Sequence, residues 1–399
     1  MQWVVSNPSP KTPSPEALRS ISAAIEAQPH MPALRSFRAG MMMRLGRPDA
    51  ALTDFVAAMA MDPTGADHTT HIAACHLRAG RPGEALETCD RRVPDGPDPA
   101  WSLQRGRALV RLGRVREGQA ELTWALRADD PGFAALRSLL PTYGHAGDGG
   151  ALLAFCDSLE PRHGETAGAR GYRAAALSLL GRTRDALDLV DLDRCIVRIP
   201  FEPPAGFGGI EAFNRMLADE VLAALPPDAS TDRHIEYLGA VRPDPARSAL
   251  TLFVRGAVED YVARLSEHGL DLALPFVPAV AELTSGSVIL RGEAGQAEHL
   301  HPAGYLSCVY HVAVPASADR DGGALSVGGC ASHFAGHEAC WGTRTIRPEP
   351  GWLTLLPSHV FHAVLPTRSR EPRITVPSDV RPIRRTGDER GKPLYPSIA

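Results

Sequence analysis

Two histidines two residues apart, His299 and His301, and a third 61 residues later, His362, are the side chains of this 399-residue chain whose types and spacing suit metal chemistry. An imidazole offers one lone-pair nitrogen to a divalent ion. On a strand, residues i and i+2 point to the same face, so His299 and His301 can present themselves to one ion together. Arg373 follows eleven residues after His362. Its planar guanidinium is a forked donor matched to a carboxylate, and Thr375 shares its face on a strand. Arg368 and Arg370 are the neighbouring alternatives. Ser307 and Tyr310 lie between the histidine pair and His362; three apart, they cannot fully share one strand face. A second group, Cys330, His333, His337 and Cys340, reads C-x2-H-x3-H-x2-C. These are zinc-type ligands at short spacing. Gly328, Gly329, Gly336 and Gly342 surround them, so a flexible loop over the site mouth is the stronger expectation.

The stretches "HLHPAGYLSCVYHVAVP" from His299, "PGWLTLLPSHVFHAVLP" from Pro350 and "RITVPS" from Arg373 resemble a bacterial group of 2-oxoglutarate–Fe(II) oxygenases. That group carries "HxHP…SGxYYxxxP", then "PGxLxLFPSxxxHxVxP", then "RxSxxF". The resemblance runs over residues 282 to 383 and more weakly back to 196. It implies a double-stranded β-helix, or jelly roll, holding Fe(II) through His299, His301 and His362, with 2-oxoglutarate and O2 as co-substrates. Three protein ligands on one face of the ion leave three positions, two for the 2-oxo acid and one for dioxygen. It also implies that Arg373 meets the distal carboxylate of 2-oxoglutarate, that Thr375 adds a hydrogen bond, and that Ser307 or Tyr310 touches the co-substrate. The implied reaction hydroxylates an unactivated C–H bond while 2-oxoglutarate is decarboxylated to succinate and CO2. His301 stands where most such enzymes have Asp or Glu. The change removes one negative charge from the ion's shell, so affinity for Fe(II) falls and Zn competes. Glu298, next door, belongs to the opposite face. Smaller departures put Cys308 where the group has glycine, His311 where it has a second tyrosine, and His359 near the site mouth.

The elements that must hold these residues are legible as short runs punctuated by Gly and Pro: "CIVRIPFEPP", "AELTSGSVILR", "YLSCVYHVAVP", "GALSVGG", "GTRTIRP", "GWLTLLP" and "PRITVPSDV". Their number and spacing suggest a sandwich or barrel, with helical stretches flanking it near residues 210–225 and 250–265. Residues 15–192 read differently. Gly46, Gly80, Gly113, Gly147 and Gly181 recur at steps of 34, 33, 34 and 34. Small residues keep register, with Ala51, Ala85, Gly118 and Ala186 five positions after the glycine and Ala58 and Ala125 twelve after. Pro63, Pro97, Pro131 and Pro161 close the units, and Ala17, Ala24 and Pro29 imply a preceding half unit. Period and residues resemble the tetratricopeptide repeat, a helix–turn–helix solenoid that usually presents a concave face to a peptide or protein. The unit around Gly147 is the most degenerate.

The expected fold is therefore two-domain α+β: an all-α solenoid over 15–192, a jelly roll with flanking helices over 196–383, and a solvated tail over 384–399. The balance of 42 basic and 46 acidic side chains argues against a phosphate-tracking nucleic-acid binder. No apolar run is long enough for a membrane span, and Met1–Lys11 lacks the pattern of a secretory signal. Seven cysteines, an odd number, fit a reduced cytoplasmic protein with free thiols. Lysine occurs only at Lys11 and Lys392, a coding bias seen in some bacteria. The favoured reading is a dioxygenase acting on a peptide or protein side chain captured by the repeats. The rivals are a non-catalytic repeat adaptor with an inactive, metal-binding jelly roll, and a three-histidine dioxygenase that needs no 2-oxoglutarate. Arg373 argues against the last, and His301 fills the place where a halogenase needs a small residue.

Overall fold

In a computed structural model of the chain, Gly46, Gly80, Gly113, Gly147 and Gly181 all take positive φ, between 67° and 80°, the left-handed conformation that glycine enters without steric cost. Each follows a helix end by two residues and precedes a helix start by two. The pairs are α2 (Pro32–Arg44) with α3 (Pro48–Met61), α4 (Thr69–Arg78) with α5 (Pro82–Arg91), α6 (Pro99–Arg111) with α7 (Val115–Arg127), α8 (Ala134–His145) with α9 (Gly149–Asp157), and α10 (Ala167–Leu179) with α11 (Thr183–Leu189). The half unit is α1 (Pro15–Ala27). The degenerate fourth unit thus forms like the others. The described residues are 1–4, 13, 15–62, 68–91, 93–128, 134–159, 163, 165–223, 233–237, 245–265, 267, 269–316 and 321–383. Pro63, Pro131, Pro161 and the 384–399 tail lie outside them.

Two compact units emerge, Ser9–Thr142 and Met1–Pro8 with Tyr143–Ala399. In the first, the in-register small residues let helices touch. Ala51 and Ala85 are fully buried, and a Cβ on Gly118 would lie 2.6 Å from Val110 and 2.8 Å from the Gly106 carbonyl. Apolar clusters run from one repeat into the next, one of them joining Ala73, Leu77, Ala85 and Cys89 to Ala108 and Leu109. This is how units that cannot bury a face alone share a core. Asp54, buried in α3, takes a forked pair from Arg38 of α2 at 2.7 and 2.8 Å.

The second unit begins earlier than the end of the repeat pattern, because α9 to α11 sit with the sheets. After a short helix α12 (Leu192–Cys195) come β2 (Val197–Pro200), α13 (Ile210–Ala223), β3 (Arg233–Tyr237) and α14 (Pro245–Ala263). Eight strands follow: β4 (Val280–Leu290), β5 (Gln296–His299), β6 (Leu306–Ala313), β7 (Leu325–Val327), β8 (Arg344–Ile346), β9 (Trp352–Pro357), β10 (His362–Val364) and β11 (Arg373–Pro382). One sheet contains the order β4-β11-β6-β9, the other β5-β10-β7-β8. Except at the β7–β8 step the chain changes sheet at each strand, and these pairings are antiparallel. That alternation is the jelly roll. β2 extends the larger sheet beside β9 and β3 pairs with β4. At the other edge β1 (Gln2–Val4) adds in parallel to β4, and Trp3 Nε1 donates to Glu259 Oε1 at 2.6 Å. All seven cysteines are free thiols. No helix among the described residues is long and apolar enough to cross a membrane.

Candidate metal centre

His299 ends β5 and His362 begins β10, and the two are direct partners across that antiparallel pair. His301 is not on the strand: β5 stops at His299. A turn places it instead, closed by Gly304 N donating to the His301 carbonyl at 2.9 Å and pinned by His301 N donating to the Ser358 carbonyl at 3.0 Å. The three rings gather with centroids 4.4, 5.1 and 5.3 Å apart, and one ligand atom from each lies within 4.8 Å of the others. Among the described residues this is the one group of three such side chains close enough to share an ion.

Each ring has one nitrogen committed. His299 Nδ1 lies 2.8 Å from the Ala297 carbonyl and His362 Nδ1 3.1 Å from the Val360 carbonyl. A carbonyl only accepts, so each Nδ1 carries the proton and Nε2 keeps its lone pair. His301 Nδ1 donates to Asp379 Oδ2 at 2.7 Å. Burial, then the neighbouring His299 and His301, brings His362 down to about 3, which keeps it neutral and ligand-competent at neutral pH. Burial pushes the Asp379 carboxyl up, but the His301 and Ser307 hydrogen bonds and the Arg381 charge outweigh it, so the group lies below the usual carboxylate range.

Arg373, at the start of β11, is 1% exposed. Nη1 donates to Thr375 Oγ1 at 3.2 Å, while Nε and Nη2 have no hydrogen-bond partner among the described residues. Gly323 makes room, since a Cβ there would lie 2.6 Å from Arg373 Cδ. Burial lowers the guanidinium to about 10, still a cation at neutral pH. A buried cation without a counter-charge costs several kcal/mol, so the site fits an anion that it does not itself supply. Alternation on β11 puts Arg373, Thr375 and Asp379 on one face. Register adds Ser307 and His311 of β6, opposite Asp379 and Thr375. Both nitrogens of fully buried His311 lack partners. Burial, then Arg373 and Arg198, holds His311 well below its ordinary value. Thr354 of β9 and Thr284 of β4, on the same face by register, also have unpartnered hydroxyls. The inner face of the large sheet is therefore rich in buried polar groups.

Several expected positions are corrected. Tyr310 does not share the face of Arg373 and Thr375. Three residues from Ser307, it points the other way, donates to Asn214 Oδ1 of α13 at 2.7 Å and packs edge-on to Phe201. Ser307 stays on the inner face, but its hydroxyl donates to Asp379 Oδ1 at 3.1 Å and meets Ser358 Oγ at 2.9 Å, next to the Asp379–His301 hydrogen bond. His359 is not at a mouth: it is 1% exposed and donates to the Leu189 carbonyl at 2.8 Å. Arg368 and Arg370 are exposed. Glu298 points away, accepting from the Ser332 backbone and hydroxyl.

Among the described residues the Cys330, His333, His337 and Cys340 side chains of the 328–342 segment do not gather as a metal-ligand group. The segment contains one 3-10 turn, Ala331–His333, and both histidines face α10. His333 Nε2 donates to the Glu298 carbonyl at 2.8 Å and its Nδ1 is 3.4 Å from Tyr172 OH. His337 Nε2 lies 3.0 Å from Ser178 Oγ. α10 thereby braces the metal loops, and Gly168 N donates to the Pro302 carbonyl at 3.2 Å. A Cβ on Gly171 would lie 2.5 Å from the His359 carbonyl and 2.7 Å from Leu300. Sequence reasoning missed Asp379, whose signal was available as the same-face partner of Arg373 six residues on, and it missed α10 as a wall of the site.

A family model described as "Putative 2OG-Fe(II) oxygenase" matches residues 285–379. Two tetratricopeptide repeat models match 42–106 and 103–140. No curated protein matches the chain. Among solved structures, similarity extends to a Pseudomonas putida prolyl-4-hydroxylase at 18% identity, covering 51% of this chain and 99% of that one with a TM-score of 0.33. It extends also to a prolyl hydroxylase from Trichoplax adhaerens in complex with a hypoxia inducible factor peptide fragment, at 15% identity, 51% and 92% coverage and a TM-score of 0.32. A third is PilW, a type IV pilus biogenesis factor, at 21% identity, 43% and 81% coverage and a TM-score of 0.37. Scores this low assign no function. The chain carries tetratricopeptide repeats and, C-terminal to them, a domain similar to 2-oxoglutarate–Fe(II) oxygenases.

Proposed function

We propose that the protein is an Fe(II)- and 2-oxoglutarate-dependent dioxygenase that hydroxylates a peptide or protein side chain captured by its repeats. The observation that carries the cofactor reading is the pairing of a three-histidine cluster, with one ligand atom from each ring within 4.8 Å of the others, with a buried, incompletely bonded Arg373. A metal site alone would not call for that arginine; a dicarboxylate co-substrate does. The bound Fe(II) and 2-oxoglutarate would supply the oxidising chemistry, using O2 to place one oxygen atom on the substrate and one in succinate. The chain's own residues do the rest. His299, His301 and His362 hold the ion by Nε2, with their Nδ1 protons fixed to acceptors so the rings cannot turn away. Arg373, steadied by Thr375, receives the far carboxylate of the co-substrate, and His311 and Thr354 offer it further hydrogen bonds. Arg373 and His362 are both buried, and the exclusion of water strengthens these contacts. The repeats support a peptide or protein as substrate, because stacked helical pairs present an extended concave surface.

The test is turnover. Purified protein with Fe(II) and O2 is expected to convert 2-oxoglutarate to succinate slowly, and His362→Ala to abolish this. A peptide library exposed to the full system is then screened for products that gain one oxygen atom. Metal binding without succinate formation would favour the adaptor; oxygen uptake without 2-oxoglutarate would favour the three-histidine dioxygenase.

A further inference from the structure

His299 and His362 give their Nδ1 protons to neutral backbone carbonyls two residues earlier. His301 instead gives its proton to a side-chain carboxylate, Asp379 Oδ2, at 2.7 Å. His301 is also the ligand whose residue type leaves the metal shell without a negative charge. We infer that Asp379 is a positioning residue of the metal centre: through His301 it returns to the ion the negative charge that an all-histidine ligand set lacks, and it fixes the ring that carries Nε2 to the metal. The inference rests on the metal reading above.

The bonding around Asp379 suits that role. Its second oxygen, Oδ1, accepts from Ser307 Oγ at 3.1 Å, so the carboxylate cannot rotate off His301 without breaking that bond. Ser307 Oγ meets Ser358 Oγ at 2.9 Å, and the Ser358 carbonyl accepts from His301 N at 3.0 Å. The path closes on itself: His301 ring, Asp379, Ser307, Ser358, His301 backbone. Three separate segments, the turn after β5, β6 with its partner β11, and the end of β9, are thereby locked around one imidazole. Asp379 is 8% exposed, so solvent does little to dilute its field at His301. A carboxylate hydrogen-bonded to a ligating histidine orients the ring and raises its basicity, and losing such a partner typically costs 10- to 100-fold in metal affinity. A hydrogen bond to a carbonyl, as at His299 and His362, orients the ring without adding a charge.

The test uses the full-length, metal-free protein titrated with Co(II), whose visible bands report both binding and ligand geometry. Wild type, Asp379→Asn and Asp379→Ala are compared, with His362→Ala as the ligand-loss control. Asp379→Asn keeps an acceptor oxygen for His301 and removes the charge, while its amide NH2 faces Ser307 Oγ, which then accepts instead of donating. The expected order of affinity is wild type, then Asn, then Ala, with Ala weaker than wild type by about 10- to 100-fold. Metal-free Asp379→Asn is expected to melt with wild-type cooperativity, so its weaker binding cannot be assigned to misfolding. An Asn variant that binds as tightly as wild type overturns the inference, whatever the Ala variant does. Wild type that binds no Co(II) overturns the metal centre itself, and the inference with it.

Discussion

A guanidinium sealed from water with two nitrogens unbonded is a residue held for something else. Arg373→Met is expected to weaken 2-oxoglutarate binding about 10- to 100-fold, the worth of charge-assisted hydrogen bonds, while metal affinity stays put. Calorimetric titration of each ligand separates the two. The same substitution is expected not to lower the melting temperature of the metal-free protein, because removing an unpaired buried cation relieves a desolvation cost. His359 makes a second residue-level claim. Burial, then Arg170, brings it to about 3, its bond to Leu189 notwithstanding. Above pH 6.5 it is neutral in both folded and unfolded chains. Between 6.5 and 3 only the unfolded chain takes up the proton, so stability falls as pH falls. His359→Gln is expected to make that decline shallower by up to ~1.4 kcal/mol per pH unit, read from denaturant unfolding at pH 6, 5 and 4. The gathering of His299, His301 and His362 was legible because residue type and spacing alone nominate them. Tyr310 and Ser307 were not, because which face a strand residue occupies depends on register with β9 and β11, and neither hydroxyl's partner, Asn214 or Asp379, is near in sequence.

At the scale of elements, the repeat glycines were readable because one backbone conformation, φ near 70°, recurs at a fixed interval and only glycine takes it freely. The long strands β4, β6 and β11 were readable from β-branched runs between Gly and Pro. β5 and β10, at four and three residues, have no pattern of their own; β5 exists by pairing with β10, and β10 by pairing with β5 and β7. Two close approaches make predictions at this level. Gly118→Ala puts a methyl against Val110 and the Gly106 carbonyl, and is expected to cost ~1–3 kcal/mol in unfolding free energy. Gly171→Ala puts one 2.5 Å from the His359 carbonyl, and a backbone atom cannot swing aside. It is expected to cost a similar amount and also to weaken metal binding, because α10 is pressed against the loops that carry His301 and His362. A loss of stability with unchanged metal affinity would show that α10 covers the site without positioning it.

At the scale of the whole molecule, the order of repeats then jelly roll was legible from the change in periodicity near residue 192. The division into compact units was not, because α9 to α11 keep the repeat pattern while packing with the sheets, a tertiary preference that periodicity does not encode. The proposed capture of a substrate by the repeats also belongs to this scale. Gly113→Val forces a β-branched side chain into the left-handed region at φ 80°, distorting a repeat within the Ser9–Thr142 unit. Peptide hydroxylation is expected to fall at least about tenfold while peptide-independent succinate formation is kept; equal loss of both would remove the repeats from substrate capture. The most direct measurement of the central claim is an anaerobic titration of the Fe(II)-loaded protein with 2-oxoglutarate, following the weak visible charge-transfer absorption of a 2-oxo acid chelated to ferrous iron. The expected result is a saturable band that disappears in His362→Ala and needs far more 2-oxoglutarate in Arg373→Met. Iron bound with no band at any 2-oxoglutarate concentration would contradict it.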